Sequence, residues 1–379
     1  MSSFAAAISE HPRPDQAVGE VVGSVAEQMG VAPDVACVFV SGHSTDACEA
    51  VADAVQKLLT PAVLVGATAE AVIGGPLEAE DGPAISLWAG RVGPVEPVRL
   101  ETLRSGDHTA IVGMPDGAAE GGRTLILLSD PFSFPAEALT NAVNEQYPQL
   151  RVIGGVASAP GGPGANRLVL RGTTYSSGAV GVLLPAGIGD VAVVSQGCRP
   201  VGDAWIVTDS DGNQLKGLAM RPVLERLQEV VDGATPNERE LLSRGLHVGV
   251  VLEESAAEFG HGDFLIRGVL GADHTTGSIR VGARIPVGTT VQFHVRDGSS
   301  AAEDLDRHLA GVDADAALVF VGNGRGHRLF GSSDQDATRV VRAVGGGPVA
   351  GMYCGGEYGP VRGRNHVHGT SASMLFVYG

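Results

Sequence analysis

The segments VLVGATAE (63–70), RVIGGVASA (151–159) and VAGMYCGGEYGP (349–360) read alike: an apolar run passes directly into glycine and small residues. The surroundings of each also repeat. Upstream lies an apolar strand ending in small or polar residues, at ACVFVSG (36–42), TLILLSD (124–130) and AALVFVGNGRG (316–326). A helix separates the two strands, and a third apolar strand follows, at AISLWAG (84–90), AVGVLLP (179–185) and SASMLFVYG (371–379). Val40 to Gly66 and Leu128 to Gly154 are the same distance apart, so the first two copies are close in length as well as order. Such recurrence points to one duplicated β-α-β-β unit. Each copy places a glycine-rich turn at the end of a buried strand, where backbone amides can approach a ligand.

The chain has 379 residues, which exceeds what a single core organises and predicts two domains. Lys and Arg number 26 against 43 Asp and Glu, a net charge of -17 with no basic run. Nucleic acid and anionic membrane surfaces are therefore poor partners, and neither is expected. No apolar run reaches the roughly 20 residues of a membrane helix, and MSSFAAAISEHPRPDQA lacks the basic start and apolar core of a signal peptide. The expected location is the cytoplasm. Cys37, Cys48, Cys198 and Cys354 are scattered without C-x-x-C spacing, which argues against a disulfide framework or a zinc knuckle.

Residues 1–34 read as a short tail and a helix, with Val18, Val21, Val22, Val25, Ala26 and Met29 on one face and Gly30 as the stop. Asp46 and Glu49 have capping-box spacing at the start of the next helix. SGHST therefore delivers a strand onto a helix start, a place that favours anions. From 195 to 232 the pattern becomes two strands around Asp211-Gly212-Asn213, then a helix ended by Gly233. ATPNERE reads as a polar linker, which sets a first domain at 35–235 and a second at 236–379. The second begins β-rich and then carries the third repeat. Crossover units and hairpins together predict mixed β-sheets flanked by helices, α/β to α+β.

These segments resemble the FIST family, which pairs an N-terminal and a C-terminal FIST domain. The C-terminal likeness is carried by FLIRGVLGADHTTGSIRVGARIPVGTTVQFHVRD (264–297), ALVFVGNGRG (317–326) and VAGMYCGGEYGPVRGRNHVHGTSASMLF (349–376). The N-terminal likeness is carried by VLVGATAEAVIGGPLEAEDGPAISLWA (63–89), RVIGGVAS (151–158) and SQGCRPVG (195–202). The resemblance implies a ligand-sensing module of bacterial signal transduction, with amino acids among the inputs and no established catalysis. Two departures stand out. Many relatives have cysteine where this chain has Gly322, and Asp-Gly-Arg-Pro where it has Ala219-Met220-Arg221-Pro222, so the turn at Met220 is expected to differ.

The richest constellation runs from Tyr353 to Thr370. Cys354, Glu357, Arg362, Asn365, His366, His368 and Thr370 fall in one stretch, expected to cross a sheet end as a polar loop. A zwitterion needs an anion for its ammonium and paired donors for its carboxylate. Glu357 suits the first, Arg325 or Arg362 the second, and Asn323 and Thr370 supply neutral hydrogen bonds. The competing reading of Glu357 with an arginine is a structural ion pair. His366 and His368 share a face if extended, but two ligands do not make a metal site, so neither metal nor cofactor is expected. A cysteine hydrolase would use Cys354 with His366 or His368, and no nucleophile motif supports it. In copy one, Glu70 is read as the counterpart of Glu357. The Cys198–Arg199 motif is read as a fixing point for the connector. The resulting expectation is a non-catalytic sensor of a small polar ligand that signals to a partner protein, with a structural interaction scaffold as the other alternative.

Overall fold

The computed structural model describes residues 3–105, 108–189, 191–254, 259 and 262–379. The first copy contains β1 (Phe4–Ser9), α1 (Pro14–Met29), β2 (Val35–Ser41), α2 (Cys48–Leu59), β3 (Val63–Ala69), β4 (Val72–Gly74), β5 (Leu77–Ala79) and β6 (Ile85–Gly90). After β7 (Glu96–Ser105) and β8 (His108–Val112), the second contains β9 (Thr124–Ser129), α3 (Ala136–Gln146), β10 (Arg151–Val156), β11 (Leu168–Leu170), β12 (Thr173–Tyr175) and β13 (Ala179–Leu184). Next come β14 (Val191–Gln196), β15 (Cys198–Asp211), β16 (Gln214–Leu218), β17 (Arg221–Pro222), α4 (Val223–Gly233), α5 (Pro236–Arg244), β18 (Leu246–Val251), β19 (Phe264–Asp273), β20 (Ser278–Val281), β21 (Thr290–Arg296) and α6 (Gly298–Leu309). The third copy contains β22 (Ala316–Gly322), α7 (His327–Phe330), α8 (Gln335–Ala343), β23 (Val349–Cys354), β24 (Glu357–Val361), β25 (Arg364–His368) and β26 (Ser371–Val377). The class is α+β with mixed sheets. Among the described residues no helix is long and apolar enough to cross a membrane.

Two compact units result: Met1–Val194 with Leu305–Val367 and Ser371–Gly379, and Ser195–Asp304 with His368–Thr370. The third repeat thus joins the first two in one unit, and the boundary expected near residue 235 falls inside the other. In each copy the first two strands are parallel, as a helical crossover requires, and the third strand runs antiparallel to the first. These strands are buried on both faces, which is why they read as continuous apolar runs.

The sheets of the first unit are ordered β1-β6-β2-β3-β11-β12, β25-β24-β10-β9-β13-β7-β8 and β14-β26-β22-β23-β4-β5. Each copy therefore hands its hairpin to another. The hairpin of copy one extends the sheet of copy three, that of copy two extends copy one, and that of copy three extends copy two. The exchange closes a ring and covers the edges of β3, β10 and β23, which would otherwise be open to pairing. One shared core holds Phe39, Ile126, Leu128, Phe320 and Met352, with Phe39 and Phe320 edge to face at 6.0 Å. The opposite sheet faces are covered by α1 and α2, by α3, and by α8.

Register shows which residues of the copies are equivalent. Gly66 pairs with Val38, Gly154 with Leu127 and Gly351 with Val319. A Cβ on these glycines would lie 2.2, 2.0 and 1.8 Å from the partner's carbonyl oxygen, so each position admits only glycine. Counting from them, Glu70, Ser158 and Gly355 correspond. On the exchanged hairpins, Val72 pairs with Met352, Leu168 with Ala67 and Glu357 with Gly155. The counterparts of Glu357 are thus Val72 and Leu168, not Glu70, because the acid lies on a hairpin strand and not in the preceding turn.

Other expectations change with the structure. The N-terminal tail is a strand, β1, paired antiparallel with β6, and Phe4 stacks on Trp88 at 5.6 Å. Its alanines obscured a strand whose reason is the edge it covers. Asp46 and Glu49 form no capping box: Gly42–Ala47 is a 3-10 turn that runs into α2. The capping box sits instead in ATPNERE, where Thr235 and Glu238 exchange bonds and start α5. The Ala219-Met220 turn has φ of 45° and 62°, a left-handed pair that favours Asn-Gly or Asp-Gly, so here it is held by residues that adopt it under strain.

The second unit is built on a sheet ordered β15-β21-β18-β19-β20-β16-β17, with Val207, Leu215, Val248, Ile279, Val291 and Phe293 in its core and Val223 and Val230 of α4 packed into it. Arg199 lies between Asp297 (2.8 Å) and Glu238 (3.2 Å), which ties the start of β15 to the end of β21 and to α5.

Candidate ligand site

The C-terminal ends of β22 and β23 carry the site. Asn323 N–H donates to the Cys354 carbonyl at 3.0 Å, and Arg325 N–H donates to the Gly322 carbonyl at 2.8 Å, a tight turn that directs Arg325 inward. Gly326 has φ 61°, and a Cβ there would lie 2.3 Å from Tyr353 Oη and 2.4 Å from Glu80 Oε2. Only glycine allows the chain to pass.

Arg325 is fully buried. Its Nε and Nη2 each donate to Asp336, on the first turn of α8, at 2.7 Å, and its guanidinium lies 5.4 Å from the ring of Phe330. Glu78, on the hairpin from copy one, accepts from Ala337 N–H and from Tyr353 Oη, both at 2.7 Å. Two further carboxylates from copy one fasten the chain beyond Arg325. Glu80 accepts from His327 N–H at 3.0 and 3.1 Å and meets its Nδ1 at 2.6 Å, and Glu70 accepts from Arg328 at 2.7 Å.

Glu357 is also fully buried. Its Oε2 accepts from Ser371 N–H (2.9 Å) and Ser371 Oγ (2.6 Å). Burial pushes its carboxyl up to about 7, against the pull of Ser371 and Arg325. Glu78 is pushed up to about 7 by burial and by Asp336. Three buried acids thus surround one buried guanidinium. Three atoms there have no hydrogen-bond partner among the described residues: Arg325 Nη1, Glu357 Oε1 and Asn323 Oδ1. Buried polar atoms are rarely left so, and two of these belong to ionisable groups. Chemically the set offers one cationic donor, one carboxylate oxygen and one neutral acceptor.

Of the residues singled out in the sequence, Arg325, Asn323, Cys354 and Glu357 come together. Cys354 is buried, its Sγ donates to the Met352 carbonyl at 3.5 Å, and burial with Glu357 nearby holds its thiol well above the usual range. The other residues lie apart, because the expected polar loop is the hairpin β24–β25, which leaves for the sheet of copy two. Arg362 is at its tip with φ 51°. Asn365 locks its base: Oδ1 accepts from Val152 N–H, and Nδ2 donates to the Leu150 carbonyl and to Asn144. His366 is half-buried on β25, whereas His368 and Thr370 belong to the second unit, where Thr370 Oγ1 lies 3.5 Å from Cys198 Sγ. No group of three His, Cys, Asp or Glu residues is placed to hold a metal ion among the described residues.

Sequence reasoning assigned no role to Glu78, Asp336 or Tyr353. Asp336 carried a readable signal, since it sits in the buried stripe Asp336, Ala337 and Val340, where an acid needs a partner. Glu78 carried none, because its neighbours come from another repeat.

The family model described as FIST N domain matches residues 34–221, and that described as FIST C domain matches 223–360. An uncharacterized protein of Mycobacterium tuberculosis is 42% identical over 379 residues, covering 98% of both chains. An uncharacterized protein of Mycobacterium bovis is 42% identical over 375 residues, covering 97% of this chain and 96% of that one. FIST domains are associated with sensing in signal transduction. With both domain matches in order along the chain and full-length relatives at this identity, the protein belongs to the FIST family.

Proposed function

We propose that the protein is a cytoplasmic, non-catalytic sensor that encloses a small zwitterion, such as an amino acid, between Arg325 and Glu357 and reports its presence to a partner protein. The observation that carries this reading is the pair of unsatisfied atoms, Arg325 Nη1 and Glu357 Oε1, buried in one interior. A ligand carboxylate satisfies the first and a ligand ammonium the second, while Asn323 Oδ1 takes a further donor. Entry requires the turn 322–331 to lift, and its outer fastenings, Glu80–His327 and Glu70–Arg328, are partly exposed. That movement supplies the two states between which a ligand can shift a population. A cysteine hydrolase is disfavoured, because Cys354 is held as the thiol and a nucleophile needs the thiolate.

The test is isothermal titration with the free amino acids, each compared with its N-acetyl and amide derivatives. Binding of one amino acid class, lost with either blocked derivative and weakened at least tenfold in Glu357→Gln with the fold retained by circular dichroism, is the expected result. Binding that ignores both end groups, or none across the set, overturns the reading.

A further inference from the structure

The Cys198–Arg199 motif continues as Pro200-Val201-Gly202-Asp203-Ala204-Trp205, and these residues do more than fix a connector. In β15 the pairing with β21 slips between Val201 and Ala204, a bulge that leaves Gly202 and Asp203 outside the ladder. Gly202 has φ 68°, its carbonyl accepts from Gln292 Nε2 at 2.6 Å, and a Cβ there would lie 2.5 Å from Val230 Cγ2. Glycine is therefore required for the strand to bend here. Bulges of this kind re-aim side chains beside binding sites.

Below the bulge opens a cleft of about 290 Å³, between β15, the end of α4 and the start of α5. Trp205 supplies an aromatic wall, and Val201 and Val230 an apolar floor. The ionisable groups lining it are Asp203, Glu229 and Glu238 against Arg226. Glu229 is held by Arg221 and Arg226, and Glu238 by Arg199 and Thr235. Asp203 is exposed at the mouth and makes no hydrogen bond or ion pair with the described residues. The C-terminal end of α4 also faces this region, and its Val231 and Asp232 carbonyls already accept from Arg239, both at 3.0 Å. A helix C-terminus carries partial negative charge. Arg226 already lies over the indole of Trp205, 5.9 Å from the ring centroid.

We infer that this cleft is a second, separate binding site, for a small organic cation with a short apolar stem, an alkylammonium or alkylguanidinium. Its charge meets Asp203 while its stem lies against Trp205, Val201 and Val230. The cleft lies at the small end of ligand pockets, which favours a single alkyl chain over a nucleotide-sized molecule. Its residues all belong to the second unit, so the site is independent of the interior pair Arg325 and Glu357.

The test uses the full chain, titrated with butylammonium and butylguanidinium, and with butanol and butyrate as neutral and anionic controls. Calorimetry and tryptophan fluorescence are read together. Trp88 is 1% exposed and serves as a constant background to Trp205. Saturable binding of one or both cations, with a fluorescence change absent in Trp205→Phe, at least tenfold weakening in Asp203→Asn and recovery in Asp203→Glu, is expected. Equal binding of butanol, equal affinity in Asp203→Asn, or no saturation by either cation at millimolar concentration overturns the inference. Because Asp203 is exposed, its substitution leaves the fold intact, and a negative result cannot be put down to unfolding.

Discussion

At the scale of single residues, the feature of most consequence is that Glu357 and Glu78 titrate near neutrality while enclosed. A carboxyl whose folded value is raised binds its proton more tightly folded than unfolded. Its contribution to stability is therefore full below about 4.5 and is lost as pH rises through about 7. A shift of this size is worth on the order of 3 kcal/mol per carboxyl. His247 works in the opposite sense in the second unit: held down to about 4 by burial and by Arg296, it costs stability as pH falls from 6.5 towards 4. Whole-protein stability against pH mixes these effects, but the difference between the parent and Glu357→Gln separates them. Glu357→Gln is expected to be nearly neutral near pH 5 and relatively more stable than the parent by pH 8, in urea unfolding at each pH. A difference that does not change with pH would mean that Glu357 is ionised throughout.

At the scale of elements, the second strand of each repeat is governed by one glycine. Gly351→Ala places a methyl 1.8 Å from the Val319 carbonyl oxygen, and neither backbone can give way inside a sheet buried on both faces. A loss of more than about 4 kcal/mol is expected. Gly23→Ala is the contrasting substitution, since nothing lies within 4 Å of the added Cβ and the position is an exposed helix interior. It should stabilise by roughly 0.5 to 1 kcal/mol. Thermal unfolding of both variants checks the pair of predictions. This scale was also the most legible in the sequence. Apolar runs ending in glycine marked β3, β10 and β23, and Gly233 marked the end of α4, because buried strands and helix stops leave local signals. The strand β1 and the capping box at Thr235 were not read. Alanines carry little strand preference, and a polar segment resembles a linker until its Thr and Glu are seen to bond each other.

At the scale of the whole molecule, the three repeats of the first unit are interdependent because each completes the sheet of another. Replacing β4–β5 (72–79) by a short Gly-Ser linker should thus damage copy three, from which they are distant in sequence, more than copy one, to which they are adjacent. Hydrogen exchange is the measurement. Protection should fall first in Val349–Cys354, whose edge is uncovered, and persist in Val35–Ser41. The reverse order would contradict the exchange. The same ring explains why the site was only half visible. Arg325, Asn323, Cys354 and Glu357 lie in one repeat and could be grouped from their own stretch of chain. Glu78, Glu80 and Glu70 reach them only because the copy-one hairpin crosses into copy three.

By itself, the amino-acid sequence determined the repeated β-α-β-β unit and the mixed sheets, and it placed Asn323, Arg325, Cys354 and Glu357 among the site candidates. Each of these follows from local pattern: apolar periodicity, glycine where backbones touch, and polar residues clustered at strand ends. Only the tertiary structure decided that the third repeat joins the first two, that Glu357 corresponds to Val72 and Leu168, and that His368 and Thr370 lie in the other unit. The physical reason is that strand partners are chosen by which edges remain open when all the faces are buried, and that competition is between segments hundreds of residues apart.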